Sequence, residues 1–358
     1  MDHRTVGIVR GDWSVPADWR PLLPSWIAIG VVTVAFLAMH AVGYLPPLEV
    51  QLVVYLFGMV AVNLPHGGFE HVQNLRRRSP GYQVKYVVGF LSLIALFVVL
   101  LFVSPVLGVA LMFWVAMAKG GHGDIAAFSA VVGDDHLRTP TRRVLAAAAK
   151  GGAVMIVPFV VWHGTFVSFM TYMVNVFEAG ALASDAWFVS DTARVVAAVG
   201  YGSVVALHLG LGYFSATDLR TWVADAVETL LLIAYFVAVP VVIAVGLYFA
   251  LWYSGRQLGR SWVADARRPT EDGAWMVDPD DPRLRSLFNW GSFVVGAAAA
   301  GLVLGTIYLV APDPFGGAPS LLAGAVVLYT IFVSVIALPH VIVGGWLDRQ
   351  SIWYVPEN

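Results

Sequence analysis

The chain has 358 residues, of which 59% are hydrophobic and only 12% charged, with a mean hydropathy of +0.76. A soluble domain carries about a quarter charged residues, so this composition excludes an ordinary water-soluble enzyme and implies an integral membrane protein. The net charge of −2 offers no basic surface to nucleic acid, and the absence of cysteine excludes disulfides, thiolate metal ligands and cysteine nucleophiles.

Residues 1–24 are polar and read as an N-terminal cytoplasmic segment with no cleavable signal peptide. Apolar runs of membrane-spanning length follow at 25–43, 48–65, 84–103, 105–122, 145–170, 193–213, 223–253, 287–311 and 320–346. They are continuous rather than alternating and far exceed the ~10 residues of a barrel strand. The fold class is therefore all-α, a polytopic transmembrane helix bundle with about nine or ten membrane segments. Residues 25–347 form a single transmembrane domain interrupted by a polar loop at 254–286, and 348–358 form a tail.

Arginine and lysine set the orientation in the bilayer. Arg76, Arg77, Arg78 and Lys85 mark one connection as cytoplasmic, and Arg138, Arg142 and Arg143 mark another. The N-terminus falls on the same side of a multi-pass protein of the cell membrane. Parity fails at 223–253, which is too long for one crossing at about 1.5 Å per residue. Pro240, near its middle, is the natural break, since a proline removes a helix hydrogen bond.

Polar residues that hydrocarbon excludes recur in these runs. Pro65-His66-Gly67-Gly68-Phe69-Glu70-His71 closes one, and Lys119-Gly120-Gly121-His122-Gly123-Asp124 closes another. His163, His208 and His340 lie within or at the end of further runs, and Glu228 sits one turn into another. An ionisable group at membrane depth is costly unless it faces the protein interior, so each marks a functional-site hypothesis. Against this stands a structural role for any single histidine, hydrogen-bonded to a carbonyl or a helix break. His71 and His136, beside Arg-rich loops, read as solvated, and His40 as an interfacial residue. Glu228 requires a partner, for which a His or Arg would serve. His66 and Glu70, four apart, share a helical face on which Glu70 orients the imidazole.

Several segments together resemble the Brp/Blh family of membrane β-carotene 15,15′-dioxygenases. They are Pro65 to His71, the stretch Trp222 to Arg260 with Glu228, Pro240, Tyr248, Phe249, Trp252, Ser254 and Arg256, and Leu338-Pro339-His340. The resemblance spans about 50–347. It implies a non-haem Fe(II) held by histidines and oxidative cleavage of β-carotene to two retinals. It also implies an apolar tunnel entered from the lipid bilayer, with Glu70, Asp124, Glu228, Trp252 and Arg256 around the pocket.

The chain departs from the family pattern at the ligand positions. The family's two histidines near 253–257 are replaced by Tyr253 and Gln257, and a third position is occupied by Lys119. Only His66 stays in register, with His122, His208 and His340 as alternative metal ligands. An ammonium repels a metal ion, and an amide is a weaker iron ligand than imidazole. Two functions follow: cleavage of a carotenoid at Fe(II), or a diverged paralogue that binds carotenoid or retinal, or assists chromophore supply to a rhodopsin, without cleaving. A transporter is a third reading, motivated by Lys119, Asp124 and Glu228. The expected geometry is convergence of His66, Lys119 or His122, Tyr253 and Gln257, with Lys119 paired to a carboxylate such as Asp124, Glu70 or Glu228.

Overall fold

The computed structural model describes residues 20–64, 71, 75, 78–182, 187–257 and 282–349. Among the described residues the ordered elements are all helical. In chain order they are α1 (Leu23–Ala41), α2 (Leu48–Leu56), α3 (Pro80–Val103), α4 (Pro105–Val131), α5 (Pro140–Val161), α6 (His163–Asn175), α7 (Asp191–Ser215), α8 (Leu219–Ala238), α9 (Val241–Leu247), α10 (Pro282–Val310) and α11 (Leu321–Arg349). Among the described residues eight helices are long and apolar enough to cross a membrane, fewer than the nine or ten segments expected, and Leu48–Asn63 forms a shorter apolar helix. The protein is thus a multi-pass all-α bundle.

Local chemistry explains the boundaries. Pro80, Pro105 and Pro140 occupy the first helical turn, where a missing N–H costs nothing. Thr139, Ser190 and Asp218 cap α5, α7 and α8 by accepting backbone N–H groups from Arg142, Ala193 and Arg220. The run 223–253 does break at Pro240, where ψ is 134°. The run 145–170, read from the sequence as one span, is two helices separated at Trp162, four residues beyond Pro158. The 105–122 run continues to Val131, so Lys119 to Asp124 lie inside α4 rather than at its end.

Two half-length helices have matching form. α2 and α9 each follow a proline cap, at Pro47 and Pro240, and each runs on as seven residues of wider π-helix, Phe57–Asn63 and Tyr248–Ser254. They pack against each other at glycines. A Cβ on Gly58 would lie 2.4 Å from the Gly246 carbonyl oxygen, and one on Gly246 would lie 2.6 Å from the Tyr55 Cα. Such π turns cluster at functional sites, because they rotate the following side chains off the α-helical register.

α4 and α5 meet with the same intimacy. A Cβ on Gly121 would reach 2.0 Å from the Ala147 oxygen, and one on Gly151 2.1 Å from the Met117 oxygen. Small residues let backbones approach where lipid gives no hydrophobic drive to association. α5, α8 and α11 form the interior, while α1, α3, α7 and α10 present exposed residues such as Val34, Leu96, Val199 and Leu302. That outer apolar surface is what a bilayer covers.

Candidate functional site: an apolar chamber beside a buried ion-pair network

α2, α4, α5, α6, α9 and α11 enclose a cavity of about 930 Å³, a figure that includes its open mouth. Its walls are apolar and aromatic, among them Met112, Phe113, Met155, Phe166, Phe169, Val245 and Phe249. Asn63, Thr165, Thr330 and Ser334 add a few hydroxyl and amide groups, and the Tyr55 hydroxyl lies 2.6 Å from Thr330 Oγ1. Among the described residues lining it, Lys119 is the one that carries a charge. Its side chain is 8% exposed, and Nζ lies 5.0 Å from the Tyr253 ring centre and 5.8 Å from that of Phe249. Both rings come from the π segment after α9, whose widened turn directs them at α4.

Tyr253 and Gln257 lie side by side against the next turn of α4. A Cβ on Gly123 would meet the Tyr253 ring at 2.9 Å and Gln257 Nε2 at 3.2 Å, and that Nε2 donates to the Gly123 carbonyl at 2.8 Å. Lys119, Tyr253 and Gln257 are therefore brought together by one helix face. His122 is not with them. It is exposed, whereas Lys119, Gly120, Gly121 and Asp124 are buried, so of the two alternatives Lys119 and not His122 joins Tyr253 and Gln257. His66 and Glu70 lie outside the described residues.

Beyond this face lies a dense charge cluster. Lys150 Nζ sits 2.6 Å from Glu228 Oε2 and 3.0 Å from both Asp124 Oδ2 and Asp225 Oδ1. Arg256 bridges Asp124 Oδ1 at 2.8 Å and Glu228 Oε1 at 2.6 Å, donates Nε–H to Ser25, and stacks 3.6 Å above the Trp252 ring. Trp26 and Trp252 donate indole N–H groups to Glu228 and Asp124 at 2.7 and 2.8 Å. All three carboxylates and Lys150 are essentially inaccessible. Three carboxylates face Lys150 and Arg256, and the rings of His136 and His208 lie 2.9 and 3.1 Å from Asp225 Oδ2.

This arrangement corrects several expectations. Asp124 and Glu228, expected as partners of Lys119, are held by Lys150 and Arg256. His136 is fully buried rather than solvated, contacting Asp225 and Thr221. His208 belongs to this network. His340 meets His71 instead, their ring centres 5.2 Å apart, and His71 is half-buried against Tyr86 and Phe90 rather than solvated. Lys150, Asp225 and Trp26 escaped sequence reading. The available signal was Lys150 itself, a cation beside Gly151-Gly152 in an apolar run.

At the end of the bundle the network is tied down by Asp135. Its carboxylate accepts from Thr221, from the backbone and hydroxyl of Thr217 at 2.9 Å, and from the backbone N–H of Asp218 at 2.8 Å. Partial burial works to raise its pKa, but these hydrogen bonds outweigh it and hold the group at about 2. The contact joins the α4–α5 and α7–α8 connections, so both lie on one side of the bundle.

Fold and site thus define a membrane-embedded helical protein with an apolar chamber walled by one lysine and braced by buried charges. The sequence profile of the β-carotene 15,15′-dioxygenase family matches residues 57–348, and the chain belongs to that family. It is 48% identical, over 351 residues, to the protein named probable β-carotene 15,15′-dioxygenase Brp in two strains of Halobacterium salinarum, covering 96% of this chain and 97% of the relative. It is 29% identical over 344 residues to the probable β-carotene 15,15′-dioxygenase Blh of Halobacterium salinarum, covering 92% and 93%. No solved structure matches.

Proposed function

We propose that this chain acts on β-carotene or a related carotenoid inside the membrane, holding the polyene or the retinal derived from it in the apolar chamber. The chamber carries the proposal. It is almost wholly hydrocarbon-lined, and its walls include Lys119, one of the positions that the resemblance marks as a ligand site. Full-length similarity to relatives named for β-carotene supports the substrate class. The setting is the cell membrane with a cytoplasmic N-terminus, and a rhodopsin is the natural recipient of the chromophore.

The family reaction is oxidative cleavage of β-carotene to two retinals, for which Fe(II) would supply oxygen activation. Three of the ligand positions that the resemblance implies carry groups that do not suit that metal, and the fourth, His66, lies outside the described residues. Lys119 brings a positive charge, Gln257 commits its amide nitrogen to Gly123, and Tyr253 offers a phenol where imidazole is preferred. Among the described residues no group of three or more His, Asp or Glu is arranged to hold a metal ion. The geometry supports carotenoid or retinal holding best. Cleavage is the second reading, favoured by 48% identity across nearly the whole length of a relative named as a dioxygenase.

Expression in cells that accumulate β-carotene separates the two. Pigment should copurify with the wild-type chain, with little retinal formed and no stoichiometric iron. The triple variant Lys119→His, Tyr253→His, Gln257→His should raise iron content, because Fe(II) prefers imidazole to amide or ammonium. Stoichiometric iron together with retinal from the unmodified chain would replace the holding reading by the cleavage reading.

A further inference from the structure

We propose that Lys119 is a covalent binding site for an apolar aldehyde, forming an imine with the end of a polyene lodged in the chamber. The proposal rests on the carotenoid reading above and names the chemistry of the bound species. Scission of a carotenoid at its 15,15′ double bond leaves each half ending in an aldehyde, and retinal is that compound for β-carotene. A primary amine on the wall of a hydrocarbon cavity is the group that captures it.

The lysine inventory sharpens the assignment. The chain contains eighteen arginines but only three lysines, Lys85, Lys119 and Lys150. Lys85 is exposed on α3, and Lys150 is clasped by three carboxylates. Lys119 alone lines the chamber. Arginine supplies a cation equally well, but its guanidinium does not form a stable imine, so charge by itself leaves the choice of lysine unexplained.

The step balances without an oxidant or reductant. The neutral amine adds to the carbonyl carbon to give a carbinolamine. Loss of the hydroxyl with the nitrogen's remaining proton releases one water and leaves C=N in place of C=O. Once protonated, the imine keeps its positive charge beside the Tyr253 and Phe249 rings, which stabilise a cation over their faces.

The test uses the full chain in detergent with all-trans-retinal as the probe and retinol, which has no carbonyl, as its control. Absorbance follows imine formation, and cyanoborohydride reduction followed by peptide mass spectrometry locates the adduct. The expected result is about one retinal per chain. The adduct on Lys119 should exceed that on Lys85, Lys150 and the N-terminal amine by roughly tenfold, since only Lys119 meets the chamber. Lys119→Arg should abolish it while retinol binding is retained. Should that variant fail to fold, site mapping in the wild-type chain decides alone. Equal labelling of all amines overturns the proposal. Retinol and retinal bound without any imine overturn it too, yet leave the carotenoid reading standing, whereas failure to bind either removes both.

Discussion

Lys150→Met tests the buried network most directly. The substitution keeps an unbranched side chain of similar length and removes the charge together with the hydrogen bond donated to Glu228. At an effective dielectric near 20, one charge pair about 3 Å apart is worth about 5 kcal/mol before desolvation is counted. Lys150 makes three such contacts, at 2.6, 3.0 and 3.0 Å. Protonation of one carboxylate limits the damage, so the net loss should be about 3–5 kcal/mol, as found when one partner of a buried pair is removed. The second variant, Lys150→Met with Glu228→Gln, restores the parent's net charge. Its oxygen can still accept from Trp26 and Arg256, so it should recover about 1–2 kcal/mol. Denaturant titration in mixed micelles, followed by tryptophan fluorescence, reads both. A Lys150→Met protein within about 1 kcal/mol of the parent would refute the reasoning, as would a double variant whose losses simply add.

Gly151→Ala would place a Cβ 2.1 Å from the Met117 oxygen, forcing α4 and α5 apart, and should cost about 1–3 kcal/mol in the same titration; Gly255→Ala, with open space around it, should be silent. Asp135 predicts an acid sensitivity. Its folded pKa of about 2 lies below the ordinary carboxylate value of about 3.9, so its stabilisation is complete above about pH 4 and is lost as pH falls toward 2. Circular dichroism between pH 2 and 5 should show Asp135→Asn less stable than the parent at the upper end and equal to it at the lower. Parallel profiles across that window would show that the carboxylate is not the cause.

Much of this architecture was legible in the sequence because hydrocarbon imposes a simple length and polarity rule. The all-α class, the break at Pro240 and the need of Glu228 for a partner followed from it. About nine or ten segments were expected, whereas the described residues hold eight spanning helices and one shorter apolar helix. The division at Trp162 did not, since the apolar run continues through it; in the fold His163 contacts the Phe159 carbonyl one turn back and the distant Val189 carbonyl. The ion network was hidden for another reason. Its members are scattered over α1, α4, α5, α7, α8 and the turn after α9, and hydrophobicity alone cannot say which polar residues share a centre. His136 illustrates the point: its arginine-rich surroundings in sequence suggested water, while the fold buries it against Asp225.

The charge network also dictates an order of assembly. A charged residue near the centre of a lone helix costs about 2.5–3.5 kcal/mol on insertion. α5 leaves the ribosome carrying Lys150 when Asp124, on the helix before it, is the one carboxylate of the set already made. Glu228 follows 78 residues later, a delay of about 4–16 s at ordinary elongation rates. Arg256 comes a further 28 residues on. The α4–α5 hairpin must therefore enter the bilayer as a unit, with its glycine seam closed and Lys150 neutralised by Asp124. It then waits as a half-built socket until α8 and the segment after α9 arrive to complete it.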